Sequence, residues 1–241
     1  MNKPYNQQYH YNAYYAQDAL NIALNEHKDD LKIINKLAAE NKLTFKKGEH
    51  LYKFGDSFKN IFLILNGSIK VYSINELGDE QITSFHTQGD LIAFDAITSS
   101  RHLSFAQTLE ETMVGLINFN NLCSIANTRP SLNMLIFKIM SAEITQKKNI
   151  MMLITKQNAS QRLASFLLYN PYFKHSTNQR ANIITLTMTR EEIGKYLSLK
   201  NETISRLLTK FDKQELIKVN GKNISILSPQ KLLEIINNKD N

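Results

Sequence analysis

Residues 183–227 constrain this chain of 241 residues more than any other stretch. Ile183–Met188 alternates as a strand does. Thr189-Arg190-Glu191-Glu192 then has the form of a capping box, in which the Thr189 hydroxyl accepts from the N–H of Glu192 and the Glu192 carboxylate reaches back to the N–H of Thr189. A helix therefore starts here, with Ile193, Tyr196 and Leu197 on its apolar face. Ser198–Lys200 make a short turn, and a second helix follows with Ile204, Leu207, Leu208 and Phe211 on its buried side, which is helix-turn-helix spacing. Leu216–Val219, Asn220-Gly221 and Lys222–Leu227 read as a β-hairpin closed by a type I′ turn, the wing of a winged helix.

The charge pattern says what such a unit would meet. The chain carries 29 Lys and Arg against 22 Asp and Glu, a net charge of +7. Residues 1–155 hold 15 basic and 15 acidic side chains and residues 156–241 hold 14 and 7, so the whole excess lies in the last third. A basic module beside a neutral one points to a polyanion, and double-stranded DNA is the expected partner. The outer face of the second helix offers Asn201, Glu202, Ser205, Arg206, Thr209 and Lys210, all able to bond to a base edge or a phosphate. In a major groove Arg206 can donate two parallel bonds to guanine O6 and N7, and Glu202 can accept from cytosine N4. A carboxylate weakens general attraction to phosphates, so its place among basic residues favours base readout. The competing reading is a Glu202–Arg206 ion pair on a solvated face, worth about 0.3–0.5 kcal/mol. Arg190, Thr203 and Lys222 are expected to hold phosphates, which position without specifying.

Upstream the rhythm differs. Leu43–Phe45, His50–Tyr52, Asn60–Leu65, Ser68–Ser73, Glu80–His86 and Phe105–Asn118 are short runs rich in Ile, Val, Phe and Tyr, separated by turn signals such as Asn66-Gly67 and Gly89-Asp90. That spacing predicts a β-barrel or roll, with Asn66-Gly67 as its strongest hairpin signal. Pro130 opens a helix to about Lys156, in which Phe137, Met140, Ile144, Lys147, Met151 and Ile154 alternate by three and four, the seam of a dimer helix. A core helix packed on the roll would also account for them. Lys147 interrupts the seam and would snorkel outward. A further helix covers Ala159–Tyr169, and Phe173–Asn182 reads as a polar loop. The domains expected are an arm with short helices over 1–42, a β-roll over 43–125, the dimer helix over 126–156 and the winged helix over 157–241. Residues 1–17 read as a mobile arm.

With 42% hydrophobic and 21% charged residues, 8 Gly and 4 Pro, the chain is neither collagen-like nor broadly disordered. No run approaches a membrane span, and the first thirty residues lack the apolar stretch of a secretory signal, so a cytoplasmic protein without membrane contact is expected. There is no G-x-S-x-G elbow, no phosphate-cradling Gly-rich loop and no paired catalytic carboxylates on a recognisable scaffold, so no catalytic residue is predicted.

Asn201-Glu202-Thr203-Ile204-Ser205-Arg206-Leu207-Leu208 resembles the recognition helix of the Crp/Fnr transcription regulators, and Leu186–Arg190 resembles the Fnr branch. Gly78–Thr83, Gly89-Asp90-Leu91, Phe94–Ile97, Ser104–Gln107 and Met140–Ile144 fit the same pattern, over residues 20–228. The resemblance implies an α+β chain: an N-terminal jelly-roll β-roll like a cyclic-nucleotide-binding domain, a long central dimerisation helix and a C-terminal winged helix-turn-helix. It implies a homodimer on a two-fold DNA site, with Glu202, Ser205 and Arg206 reading a TTGAT-like half-site and the loop at Gly78-Asp79 contacting RNA polymerase. Lys200 stands where the family has Ser or Thr as helix cap, and Asn201 is expected to cap instead.

The resemblance also frames what is missing. Family rolls that bind a cyclic nucleotide use a Gly-Glu pair for the ribose and an Arg-Ser pair for the phosphate. The matching positions resemble Gly89-Asp90 and Leu103-Ser104, so the guanidinium is lost, at a cost of several kcal/mol to a buried phosphate. Arg101 lies two positions off the pattern. The cysteines that hold an oxygen-sensing iron–sulfur cluster in Fnr match His10, Ala13, Ala19 and Gly115, while Cys123, the one cysteine, lies elsewhere. A four-ligand cluster of that type is therefore excluded, and no cofactor or metal is predicted. Two alternatives stay open: a regulator gated by haem, with His10 as a ligand, or by a nucleotide in the roll, and an effector-binding protein that does not touch DNA.

Overall fold

The computed structural model describes residues 20–169 and 183–238. The chain divides into two compact units, one ending at Ile144 and the other beginning at Thr145.

In the first unit residues 20–26 are helical and a turn at His27 leads into α1, Lys28–Glu40. Eight strands follow: β1 Lys42–Phe45, β2 His50–Tyr52, β3 Asn60–Asn66, β4 Ser68–Ile74, β5 Glu80–Thr87, β6 Leu91–Ile92, β7 Phe105–Thr108 and β8 Thr112–Asn118. They form two antiparallel four-stranded sheets, ordered β1-β8-β3-β6 and β2-β7-β4-β5. This is the predicted roll. β3 reads as a continuous apolar run because both its faces are buried. Phe62 and Ile64 meet Tyr52, Ile69, Val71 and Val114 inside the roll. Ile61 and Leu63 meet α1, the next helix α2 (Phe119–Thr128) and the first turns of the long helix α3 (Pro130–Lys156) through Ile34, Ala38, Leu122, Leu132 and Leu135.

Two expectations are corrected. Asn66-Gly67 does not close a hairpin, since β3 and β4 belong to different sheets and Gly67 carries the chain from one to the other. Gly67 has φ 92°, Asn66 is not left-handed, and a Cβ on Gly67 would lie 2.5 Å from Thr112 Oγ1 and 2.7 Å from the Glu111 carbonyl. Close approach, not a type I′ turn, requires the glycine. The hairpin nearby is β4–β5, where Asn75 Oδ1 accepts from the N–H groups of Leu77 (3.0 Å) and Asp79 (2.9 Å). Phe105–Asn118 is two strands, broken at residues 109–111.

In α3, Leu132 and Leu135 are fully buried, while Phe137, Ile144 and Met151, seven residues apart, are 56%, 67% and 60% exposed. Met140, Lys147 and Ile154 are half-buried.

The second unit contains α4 Ala159–Tyr169, β9 Ile183–Thr185, α5 Arg190–Leu197, α6 Asn201–Lys213, β10 Ile217–Asn220, β11 Asn223–Ile226 and α7 Pro229–Asn237. The strands make one antiparallel sheet, β10-β11-β9. The wing turn differs from expectation: Asn220 pairs with Asn223, so the loop is Gly221-Lys222, and of these only Gly221 is left-handed (φ 60°). Type I′ needs both residues left-handed, so this loop follows the II′ pattern with glycine first. The strand expected over Ile183–Met188 pairs only to Thr185. α7 was not anticipated, although Pro229 at its first position is a start signal. The arm of residues 1–17, with His10, Ala13 and Ala19, and the Phe173–Asn182 loop lie outside the described residues.

Candidate nucleic-acid interface

The interface is built by local signals that the backbone obeys. Thr189 N donates to Glu192 Oε2 at 2.7 Å and Glu192 N to Thr189 Oγ1 at 3.2 Å, so the capping box closes in both directions and starts α5. Ser198, left-handed at φ 53°, stops α5, and the Leu199 N–H returns to the Gly194 carbonyl at 2.9 Å. A Cβ on Gly194 would lie 2.5 Å from the Leu199 carbonyl, so the turn between the helices needs a glycine there. Arg162 of α4 completes the corner. Its Nη1 donates to the carbonyls of Leu197 (3.1 Å) and Ser198 (3.3 Å) and its Nε to that of Gln157 (2.9 Å), placing a cation on the C-terminal carbonyls of α5. Burial lowers the guanidinium pKa from its usual value. Sequence reasoning missed both residues: a glycine inside a helical pattern was the available signal for Gly194, whereas Arg162 had none.

α6 buries Ile204, Leu208 and Phe211 at 0–2% exposure, with Leu207 only half-buried. Lys200 occupies its N-cap without a side-chain bond and Asn201 is the first helical residue, so the expected Asn201 cap does not form. Asp212 ties the helix to the wing, accepting from the Val219 N–H at 3.1 Å and facing Lys218 Nζ at 3.6 Å.

What α6 leaves outside is the predicted reading surface. Glu202 and Arg206 are exposed and Ser205 half-buried, and helical spacing puts the three on one face. Among the described residues no ion pair joins Glu202 to Arg206, so the competing explanation for that pair has no bond behind it. Thr209 spends its hydroxyl on the Ser205 carbonyl (3.0 Å). Of the three expected phosphate contacts, Arg190 is exposed at the start of α5, Lys222 is exposed in the wing loop, and Thr203 is half-buried on α6.

The ligand positions of the roll look different. Ser104 Oγ donates to Asp95 Oδ2 at 2.7 Å, and Leu103 is 49% exposed. Asp90 takes the Thr87 N–H at 2.9 Å in an ordinary turn, and Arg101 Nη1 donates to the Gly55 carbonyl at 2.7 Å. His102, 3% exposed, stacks on Tyr52 with centroids 3.8 Å apart and leaves its Nδ1 without a partner. Burial lowers the His102 pKa and raises that of Tyr52. Gly115, matched to a cluster ligand by resemblance, faces α1 so closely that a Cβ there would overlap the backbone and side chain of Ala38. Cys123 sits half-buried on α2. Gly115 offers no ligating side chain for an Fnr-type cluster, and among the described residues no group of three His, Cys, Asp or Glu side chains is placed to hold a metal.

Comparison with known proteins agrees with both units. Residues 161–235 match the Crp-like helix-turn-helix domain, and residues 42–128 match the cyclic nucleotide-binding domain. The chain is 43% identical over 227 residues to the fumarate and nitrate reduction regulatory protein of Yersinia pestis, covering 92% of this chain and 88% of that one. It is 46% identical to electron transport regulator A of Shewanella oneidensis over 195 residues, 80% of this chain and 77% of that one. Among solved structures, FixK2 from Bradyrhizobium japonicum superposes with a TM-score of 0.73 at 23% identity, covering 83% of this chain and 98% of that one.

Proposed function

The chain belongs to the Crp/Fnr family of DNA-binding transcription regulators, which bind DNA as dimers, and from that premise we propose that it acts as a cytoplasmic homodimer on a TTGAT-like palindrome without an Fnr-type cluster. The observation that carries the reading is the outer face of α6, where Glu202 and Arg206 stand exposed and unpaired among the described residues on a helix whose other face is buried. Arg206 reads guanine, Glu202 cytosine, and Ser205 a neighbouring edge; Arg190, Thr203 and Lys222 hold phosphates. The heptad-spaced row Phe137, Ile144 and Met151 meets its copy in the partner, with Met140, Lys147 and Ile154 flanking it. The Asn75–Asp79 loop, where Leu77 is 87% exposed, contacts RNA polymerase. No helix of the described residues is long and apolar enough to cross a membrane, and the role is regulatory, not enzymatic.

The test is titration of the purified protein against a TTGAT-type palindrome and a scrambled duplex across a range of salt. Preference for the palindrome, with affinity falling steeply in salt for both, supports the reading. Equal affinity for the two duplexes refutes base readout, and absence of salt-sensitive binding refutes DNA as the partner.

A further inference from the structure

Asp30 is a carboxylate buried to 3% exposure in the first turn of α1. Three donors from different parts of the chain converge on it. His27 Nδ1 lies 3.0 Å from Oδ2, while Arg129 Nε and Ser131 Oγ (3.1 Å) both donate to Oδ1. Arg129 and Ser131 flank Pro130, the first residue of α3. Arg129 is non-helical (φ −137°, ψ 85°), and its carbonyl accepts the N–H groups of Leu132 (3.0 Å) and Asn133 (3.3 Å). Farther along α3, Lys138 Nζ reaches Glu26 Oε2 and His27 Nε2, both at 3.4 Å. With Nδ1 turned to Asp30 and Nε2 to Lys138, the His27 ring joins the two sets of contacts into one polar chain. Burial opposes ionisation of Asp30, but the bonds from His27, Arg129 and Ser131 outweigh it and hold the pKa below the usual carboxylate value.

We propose that Asp30 is a positioning residue for DNA binding: by clamping both sides of Pro130 it fixes the direction of α3, and so the registration of the dimer seam. The inference rests on the dimer reading above. Its leverage is geometric. Ser131 to Met151 spans about 30 Å of helix, so a tilt of about 10° at the clamp moves Met151 by about 5 Å and Phe137 by only about 1.5 Å. The same bonds tie α1 to the start of α3, while α1 packs separately on β8 through Ala38 against Gly115. A buried carboxylate and its hydrogen bonds thus link the N-terminal segment to the start of the helix that carries the seam.

Inter-subunit disulfides report the seam directly, because a bridge forms only with Cα atoms about 4.4–6.8 Å apart. In full-length protein with Cys123→Ser, single Phe137→Cys and Met151→Cys variants are oxidised with and without Asp30→Ala, and sedimentation is run on each. With Asp30 in place both positions cross-link. In Asp30→Ala the bridge at 137 persists while that at 151 is lost, and operator affinity falls with it. Equal loss at both positions, the mark of general unfolding, overturns the positioning role, as does retention of both. Arg129→Gln, whose side chain is 42% exposed, keeps the test open if Asp30→Ala fails to fold, with the same position-dependent loss expected. A sedimenting monomer with no bridge at either position in the Asp30 background overturns the dimer reading itself and the inference with it.

Discussion

The β-roll and the winged helix differ in what their polar side chains bond to. In the roll the polar groups at candidate ligand positions end on the protein itself: Ser104 on Asp95, Asp90 on the Thr87 N–H and Arg101 on the Gly55 carbonyl; elsewhere in the roll the buried Lys70 pairs with Glu80 at 2.9 Å. In the winged helix, bonds to protein are made by supporting residues, Arg162, Thr189, Glu192 and Asp212, while Glu202, Arg206 and Lys222 face outward. Apart from the buried His102 Nδ1, these groups of the roll are consumed internally, so the roll is nearly finished as a fold, whereas a region that holds donors and acceptors out on a rigid support is finished only by a partner.

The largest effect comes from removing the support. Phe211 is fully buried beneath the reading face, and Phe211→Ala should cost about 3–5 kcal/mol of stability in the second unit. Hydrogen exchange should show lost protection over residues 183–227 and unchanged protection over the roll, with operator binding abolished. Loss of protection in both units would mean that the two regions are not separable as described. Next, Arg206→Ala should weaken binding to the palindrome by about 1–3 kcal/mol and leave non-specific binding nearly intact. Equal losses on specific and random duplexes would reduce Arg206 to another phosphate contact.

The contrast was unevenly legible in the sequence. The winged helix could be read because its signals are local: a capping box, helical spacing, and a glycine at the wing turn act within a few residues, and the backbone obeyed each. The larger errors came where distant contacts decide, although the Asn201 cap and the type I′ wing turn failed on local grounds. Asn66-Gly67 has the local chemistry of a hairpin, yet Gly67 serves a crossover pressed against Thr112, forty-five residues away in sequence. Of the supporting residues, Arg162 carries no sequence mark at all, since its role depends on where the end of α5 falls. Asp30 stands beside Asp29 in the first turn of α1, and only the fold distinguishes the buried carboxylate from the exposed one paired with Lys32. The candidate reading residues Glu202 and Arg206 were accessible for the opposite reason, because no tertiary partner among the described residues claims them.

A smaller effect is expected at the wing. Lys222 is exposed in the loop after Asn220, and its backbone carbonyl is engaged by the Leu186 N–H at 2.8 Å. If it holds a phosphate, Lys222→Ala should weaken palindrome and random duplex by the same factor and lower the slope of log affinity against log salt by about 0.9. A loss confined to the palindrome would move Lys222 into the reading set and extend that set beyond α6.

The last prediction concerns a residue where DNA binding should not respond at all. Ser104 is 5% exposed and its hydroxyl donates to Asp95, itself half-buried. Ser104→Ala removes one charge-assisted bond from the roll, at about 1 kcal/mol or somewhat more, and water reaching Asp95 offsets part of that loss. Denaturant unfolding should show the roll weakened by that amount, with palindrome affinity and salt slope unchanged. If Ser104 served instead to hold a ligand that switches DNA binding, the same substitution would change operator affinity more than it changes stability. The ratio of the two effects, rather than either alone, decides whether the roll's polar interior is structural or a sensor.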